Sequence, residues 1–112
     1  MITPRNNFSM MTAKRATAIA QSLHSVEIGI EKALMISALK RRLQTGVVRF
    51  AYQKKDGSIR EAFGTLDKVV IKAKVKGTGI SPEKYQCCCY FDIEMGAFRS
   101  FRWENLIAVF RN

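Results

Sequence analysis

Residues 47–66, VVRFAYQKKDGSIREAFGTL, decide the fold class, because the hydrophobic pattern of the chain takes a period of two there. Phe50 and Tyr52 stand at alternate positions, as in a half-buried strand. Asp56-Gly57 follows as a strong signal for a tight primed turn, since both residues tolerate positive φ. The return segment alternates again, so the stretch predicts a β-hairpin.

The segment before Gly46 shows helical periodicity instead. Thr12 is placed to cap a first helix that runs to about Leu23, and Ser25 is placed to cap a second. Gly46 suits the stop of the second helix. The sequence therefore predicts a helical pair ahead of the hairpin.

Helix 26–43 is apolar around most of its circumference. One stripe contains Val26, Ile30, Leu34 and Ala38, and another contains Ile28, Met35, Leu39 and Leu43. A helix with two apolar faces needs two partners. The first helix and the strands are candidates, and so is a second copy of the protein.

Residues 67–76, DKVVIKAKVK, alternate lysines with apolar residues and predict a strand with a lysine row on one face. Lys72 and Lys74 would then lie about 7 Å apart, a spacing that can follow a nucleic-acid backbone. The same row also suits protection of an exposed sheet edge. Residues 76–84, KGTGISPEK, read as a loop because of their glycines and proline.

The C-terminal segments read as further strands. Residues 85–93 predict a largely buried strand, and a turn at residues 94–96 leads into a strand over residues 97–103, AFRSFRW. Residues 104–110, ENLIAVF, predict a short turn followed by a last strand through Leu106, Ile107 and Val109. Phe98 and Phe101 are three positions apart, so they cannot both face inward on a regular strand. Either one of them is exposed beside Arg99 or Arg102, or a bulge lets both face inward.

The order of the elements predicts an α+β fold in one compact domain. Residues 1–46 form the helical segment, and residues 47–112 form a small β-barrel of about five strands. No apolar run approaches the roughly 18 residues of a membrane span, and no secretion signal is apparent. We therefore expect a cytoplasmic protein without a membrane partner.

The formal net charge of +10 is the strongest global signal. Excess positive charge attracts polyanions, of which nucleic acid is the commonest. Solubility alone is the competing interpretation.

Catalytic and metal chemistry find little support in the residues. His24 lies between the two helices and reads as a cap or linker residue. The adjacent cysteines at 87–89 point apart on a strand and read as small buried residues. Asp92 and Glu94 are expected to be solvated on a turn. No catalytic residue, metal or cofactor is predicted.

Two motifs carry a family resemblance: K-x-DGSIREA-x-GTL in the hairpin and G-x-x-R-x-FR-x-x-NLI near the end. They resemble a family of small, largely uncharacterised bacterial proteins with an SH3-like β-barrel, common in genomes rich in phages and conjugative elements. A more distant similarity is to WYL domains, SH3-like barrels associated with nucleic acid or nucleotide-type ligands. The similarity implies that Arg99, Phe101 and Arg102 fall in the WYL-like ending.

The leading hypothesis is a non-enzymatic module that binds nucleic acid through the barrel surface. Small barrels stack bases on exposed aromatics while cations follow the phosphates. The candidates for stacking are Tyr52, Tyr90, Phe101 and Trp103, and those for phosphate contact are Lys54, Lys55, Arg60, Lys72, Lys74, Arg99 and Arg102. The alternative for each aromatic is a place in the core.

Two other functions stay open. The protein could be an interaction module of a phage or mobile element, in which helix 26–43 pairs with itself or with a host protein. It could also bind a nucleotide-type small molecule, as the WYL similarity implies.

Overall fold

The computed structural model describes residues 9–75 and 85–111. The elements are α1 (Met10–Leu23), α2 (Val26–Leu43), β1 (Val48–Gln53), β2 (Ile59–Thr65), α3 (Lys68–Lys74), β3 (Cys87–Asp92), β4 (Ala97–Arg102), a 3-10 turn (Trp103–Asn105) and β5 (Leu106–Val109). The strands form one antiparallel sheet in the order β4-β3-β2-β1-β5. No helix in the described part of the chain is long and apolar enough to cross a membrane.

The sheet is rolled into a barrel. Two strands separate β1 from β4, which would place their side chains roughly 14 Å apart in a flat sheet. Yet the rings of Tyr52 on β1 and Phe101 on β4 stack with their centroids 4.6 Å apart. Only a rolled sheet brings these rings together, so the predicted α+β fold with a small five-stranded barrel is confirmed.

Small residues on β2 make room for the interior of the barrel. The hairpin register pairs Phe50 with Ala62, and antiparallel partners share a face of the sheet. At Gly64, an added Cβ would lie 2.6 Å from Cδ2 of Tyr90 and 2.9 Å from Cε1 of Phe50. Phe63, with the opposite parity, is exposed. The inner face of β2 therefore contributes space, which rings from β1 and β3 fill.

The hairpin is confirmed, but its turn differs from the prediction. The amide of Gly57 donates to the carbonyl of Lys54 at 3.0 Å, and Gly57 has a φ of 91°. Asp56 keeps a negative φ, and its carboxylate accepts from the amide of Ser58 at 2.9 Å. This is a three-residue loop with glycine in the left-handed position, not a two-residue primed turn. Lys55 therefore lies within the loop.

Both helices are confirmed, but the first begins one turn earlier than predicted. The Ser9 hydroxyl caps α1 by accepting from the amide of Thr12 at 3.1 Å. Thr12 is instead buried, and its hydroxyl hydrogen-bonds that of Ser37 on α2 at 2.6 Å. Ser25 caps α2 as predicted, and His24 ends α1 in the left-handed conformation.

The helices pack on each other and on the barrel. Gly29 allows the close approach of α1, because an added Cβ there would lie 2.6 Å from the carbonyl oxygen of Ala16. The buried face of α2 contains Gly29, Ala33, Ile36, Leu39 and Leu43. Leu39 and Leu43 on this face belong to one predicted stripe, and the other three residues belong to neither. Val26, Ile30 and Leu34 of the other stripe are exposed, and Ala38 is half-buried.

Residues 68–74 form the helix α3, so the predicted strand over 67–76 is wrong. The carboxylate of Asp67 caps this helix by accepting from the amide of Val69 at 3.0 Å. Positions 72 and 74 lie about 200° apart on a helix, so the lysine row does not exist. The alternation suggested a strand, but a local cap decided the outcome.

The predicted strands of the C-terminal half are confirmed. Phe101 faces the core and is 4% exposed, whereas Phe98 lies on the opposite face against Phe91, with the centroids 5.3 Å apart. Cys88 is buried, and burial raises the pKa of its thiol to about 11, as expected for a structural cysteine. The predicted loop at 76–84 lies outside the described residues.

Gly64→Ala is expected to lower the free energy of unfolding by about 2–3 kcal/mol, because its methyl group would overlap the rings of Phe50 and Tyr90. Urea unfolding followed by circular dichroism measures the change. Gly46→Ala is the matched control, since nothing lies within 4 Å of an added Cβ there. Equal stability of the two variants would contradict the packing described for β2.

Candidate nucleic-acid interface

A groove of about 410 Å³ lies between the β1–β2 loop and β4, and we call it the hairpin groove. Five of the nine predicted site residues line it: Lys54, Lys55, Arg99, Phe101 and Arg102. The groove exists because the rolled sheet brings the far end of β1 against β4. The sequence analysis did not single out Gln53, Ser100 or Asn105, which also line the groove and add amide and hydroxyl groups.

Cations border the groove on both sides. Lys54 and Lys55 are exposed on the loop, and Arg99 is half-buried on β4. Within the described chain, none of these three side chains has a hydrogen bond or an ion pair. Arg102 differs, because it donates to the carboxylate of Glu104 at 2.7 Å. Three cations are therefore available to an anionic ligand.

The predicted stacking platform is not on the surface. Tyr52, Tyr90 and Phe101 are 5%, 0% and 4% exposed, so the expectation that they stack on bases is corrected. A rolled sheet of five short strands needs its large rings inside. Trp103 keeps partial exposure, but it does not line the groove, and the guanidinium of Arg15 lies 5.5 Å from its ring centroid.

Arg60 also lies outside the groove. Its guanidinium donates to Asp92 at 2.5 Å, and Asp92 is fully buried, so the expectations of a phosphate contact and of a solvated carboxylate are both corrected. Burial by itself lowers the pKa of Arg60, but its hydrogen bond to Asp92 and its interaction with Tyr90 outweigh burial and raise the pKa. The other carboxylate oxygen of Asp92 accepts from the amide of Met95 at 3.1 Å.

A polar network connects this ion pair to the floor of the groove. Tyr90 interacts electrostatically with Arg60, and its hydroxyl lies 2.8 Å from the hydroxyl of Tyr52. Burial, followed by the contact with Tyr52, raises the pKa of Tyr90 well above its ordinary value. The Nε atom of Arg60 is buried without a hydrogen-bond partner among the described residues, whereas the two tyrosine hydroxyls satisfy each other. The hydroxyl contact therefore positions Tyr52 beneath the groove.

Lys72 and Lys74 lie on α3, and neither lines the hairpin groove. The structure thus does not bring them together with the loop lysines and Arg99. Within residues 9–75 and 85–111, no group of three or more His, Cys, Asp or Glu side chains is placed to hold a metal ion.

Comparison with known proteins adds a family match. The WYL_2 family model, described as an Sm-like SH3 β-barrel fold, matches residues 36–107. An 11.5 kDa protein of Enterobacteria phage T4, named as an uncharacterized protein in the Gp31-cd intergenic region, is 32% identical over 82 residues. That alignment covers 70% of this chain and 80% of the phage protein. No solved structure matches the chain.

Asp92→Asn is expected to lower the free energy of unfolding by about 3 kcal/mol, because it leaves the partly buried Arg60 charge without its counter-ion. Glu94→Gln is the matched control, since Glu94 is exposed on the adjoining turn and should change stability by less than about 0.5 kcal/mol. Denaturant titration of both variants measures the difference. A loss at Asp92 no larger than that at Glu94 would contradict the role of the ion pair.

Proposed function

The chain belongs to the WYL_2 family of Sm-like SH3 β-barrels, and from this premise we propose that it binds single-stranded or structured nucleic acid in the hairpin groove. The resemblance to small phage-associated SH3-like barrels and to WYL domains is confirmed by the family match and the phage relative. The observation that carries the proposal is the convergence of Lys54, Lys55 and Arg99 on one groove, where none of them forms an ion pair with a described residue.

Phosphate contact is the main source of affinity in this proposal. The loop lysines and Arg99 approach the groove from two sides, so a backbone that enters it meets positive charge on both. The net charge of +10 adds a long-range attraction that speeds encounter. Such contacts depend on the phosphates rather than on the bases, so they favour polynucleotides with little regard to sequence.

Base contacts have a smaller role, because the aromatic rings beneath the groove are buried. Arg99 is the one cation on β4 without an acidic partner among the described residues, and a guanidinium plane can stack on a base. Ser100 and Asn105 supply hydrogen-bonding groups along the same wall. Binding in the groove therefore depends more on the shape and charge of the nucleic acid than on its base sequence.

The proposal assigns no catalytic step to the groove. Its described lining contains no carboxylate and no imidazole, the usual general acids and bases. A nucleotide-type small ligand is the second candidate, because the groove volume of about 410 Å³ lies within the range of small-molecule sites. Either ligand is consistent with the cytoplasmic location expected from the sequence.

Fluorescence anisotropy with a labelled single-stranded oligonucleotide, titrated across a salt series, tests the proposal. The affinity should fall steeply with salt, because each neutralised phosphate releases counterions. Lys54→Ala/Lys55→Ala should reduce the slope of log K against log[salt] by about 1.4, at about 0.7 for each lost phosphate contact. The loss should be similar for oligonucleotides of different sequence.

Lys14→Ala/Lys68→Ala is the charge-matched control, because both lysines are exposed and neither lines the groove. Equal losses in the two double variants would assign binding to net charge and overturn the proposed site. No binding at low salt would remove nucleic acid from consideration. Tight binding of a mononucleotide with a shallow salt dependence would favour the small-ligand alternative.

A further inference from the structure

Helix α2 leaves an apolar stripe uncovered on the side away from the barrel. Val26, Ile30 and Leu34 are 69%, 39% and 36% exposed, and they follow one another at the spacing of a single helix face. Residues such as Ile36 and Leu39, on the opposite face, are fully buried. Among residues 9–75 and 85–111, the stripe is therefore the unpartnered half of a helix that is apolar on two sides.

A charged residue lies near each end of the stripe, and the two charges have opposite sign. Glu27 and Arg41 stand seven residues before and seven residues after Leu34, so each lies about two turns away and within about 20° of the same face. Both side chains are exposed, and neither forms a hydrogen bond or an ion pair among the described residues. From the N-terminal to the C-terminal end of α2, this face is therefore acidic, then apolar, then basic.

Such a face is complementary to itself when reversed. We propose that the protein forms an antiparallel homodimer through α2, with a two-fold axis at Leu34. Glu27 then pairs with the partner's Arg41, and Ile30 packs beside the partner's Ala38. A parallel pairing would place Glu27 against the partner's Glu27 and is disfavoured by like-charge repulsion. The charge pattern therefore selects both the occupant and its direction.

The neighbouring surface extends the apolar contact. Val26 and Ile30 also line a shallow groove of about 460 Å³ between α1 and α2, whose other wall includes Ala13 and Ala20. A second α2 that lies along the stripe covers the edge of this groove and removes more apolar surface from water. The helix itself is about 27 Å long, so the interface belongs to the small class that associates weakly.

Sedimentation equilibrium of the full chain at low salt, from micromolar to about millimolar protein, tests the proposal. The wild type should show a monomer–dimer equilibrium. Leu34→Glu should abolish dimerisation, because it places two like charges together at the two-fold axis. Glu27→Arg or Arg41→Glu alone should weaken association by about tenfold or more, since each creates two repulsive contacts.

The double variant Glu27→Arg/Arg41→Glu is the decisive one. It exchanges the two ends of the stripe, so an antiparallel dimer should recover to within a few-fold of the wild-type dissociation constant. Glu94→Arg is the control, because it changes the net charge as Glu27→Arg does but lies on the β3–β4 turn. Circular dichroism confirms that every variant retains its helices.

Three results would overturn the dimer: a wild type that stays monomeric throughout, a Leu34→Glu variant that still dimerises, or a double variant that does not recover. These outcomes are separate from those of the hairpin groove, because α2 does not line it. A monomeric Leu34→Glu variant should therefore keep its intrinsic affinity for a short oligonucleotide.

Discussion

Phe50 and Tyr90 occupy the space that a side chain at position 64 would otherwise take, and the rest of the molecule depends on that packing. Their rings meet edge to face with the centroids 4.9 Å apart, directly over Gly64. Because β2 contributes little bulk here, the sheet can roll until Tyr52 reaches Phe101. The hairpin groove is the outer consequence of that closure, since β1 and β4 would not meet in a flat sheet.

The same closure separates the charged residues into two groups. Arg60 shares the inner face of the sheet with the aromatic rings, and there it is neutralised by the buried carboxylate of Asp92. A buried charge without such a partner would cost several kcal/mol, so this pair is a condition of the fold. Lys54, Lys55 and Arg99 stay unpaired at the rim within the described chain, where the cost of exposure is small and the charge is available to a ligand.

The two proposed surfaces lie on different elements and have different physical origins. The hairpin groove attracts by charge, so its interactions weaken as salt screens them. The outer face of α2 combines apolar burial around Leu34 with paired charges at its ends, so it should respond less to salt. A dimer would carry two grooves, and a polynucleotide that spans both would gain affinity by avidity without any new contact.

The sequence by itself determined the elements whose signals are local. The alternation in 47–66 specified the hairpin, Ser25 specified the start of α2, and the spacing of Phe98 and Phe101 specified opposite faces. These features depend on near neighbours and on the period of the backbone. The sequence also singled out Lys54 and Lys55, which line the hairpin groove, because a turn exposes its side chains whatever surrounds it.

Only the tertiary structure decided which face of each strand lies inside. The alternation of side chains places Tyr52 and Arg60 on the same face of the sheet. Contacts between β1 and β4, some fifty residues apart in sequence, make that face the interior of the barrel. The aromatic rings are therefore buried in the core and cannot stack on bases, and Arg60 pairs with Asp92 and cannot contact a phosphate. The prediction for the lysine segment failed for a different, local reason: its alternation favoured a strand, but the cap at Asp67 began a helix instead.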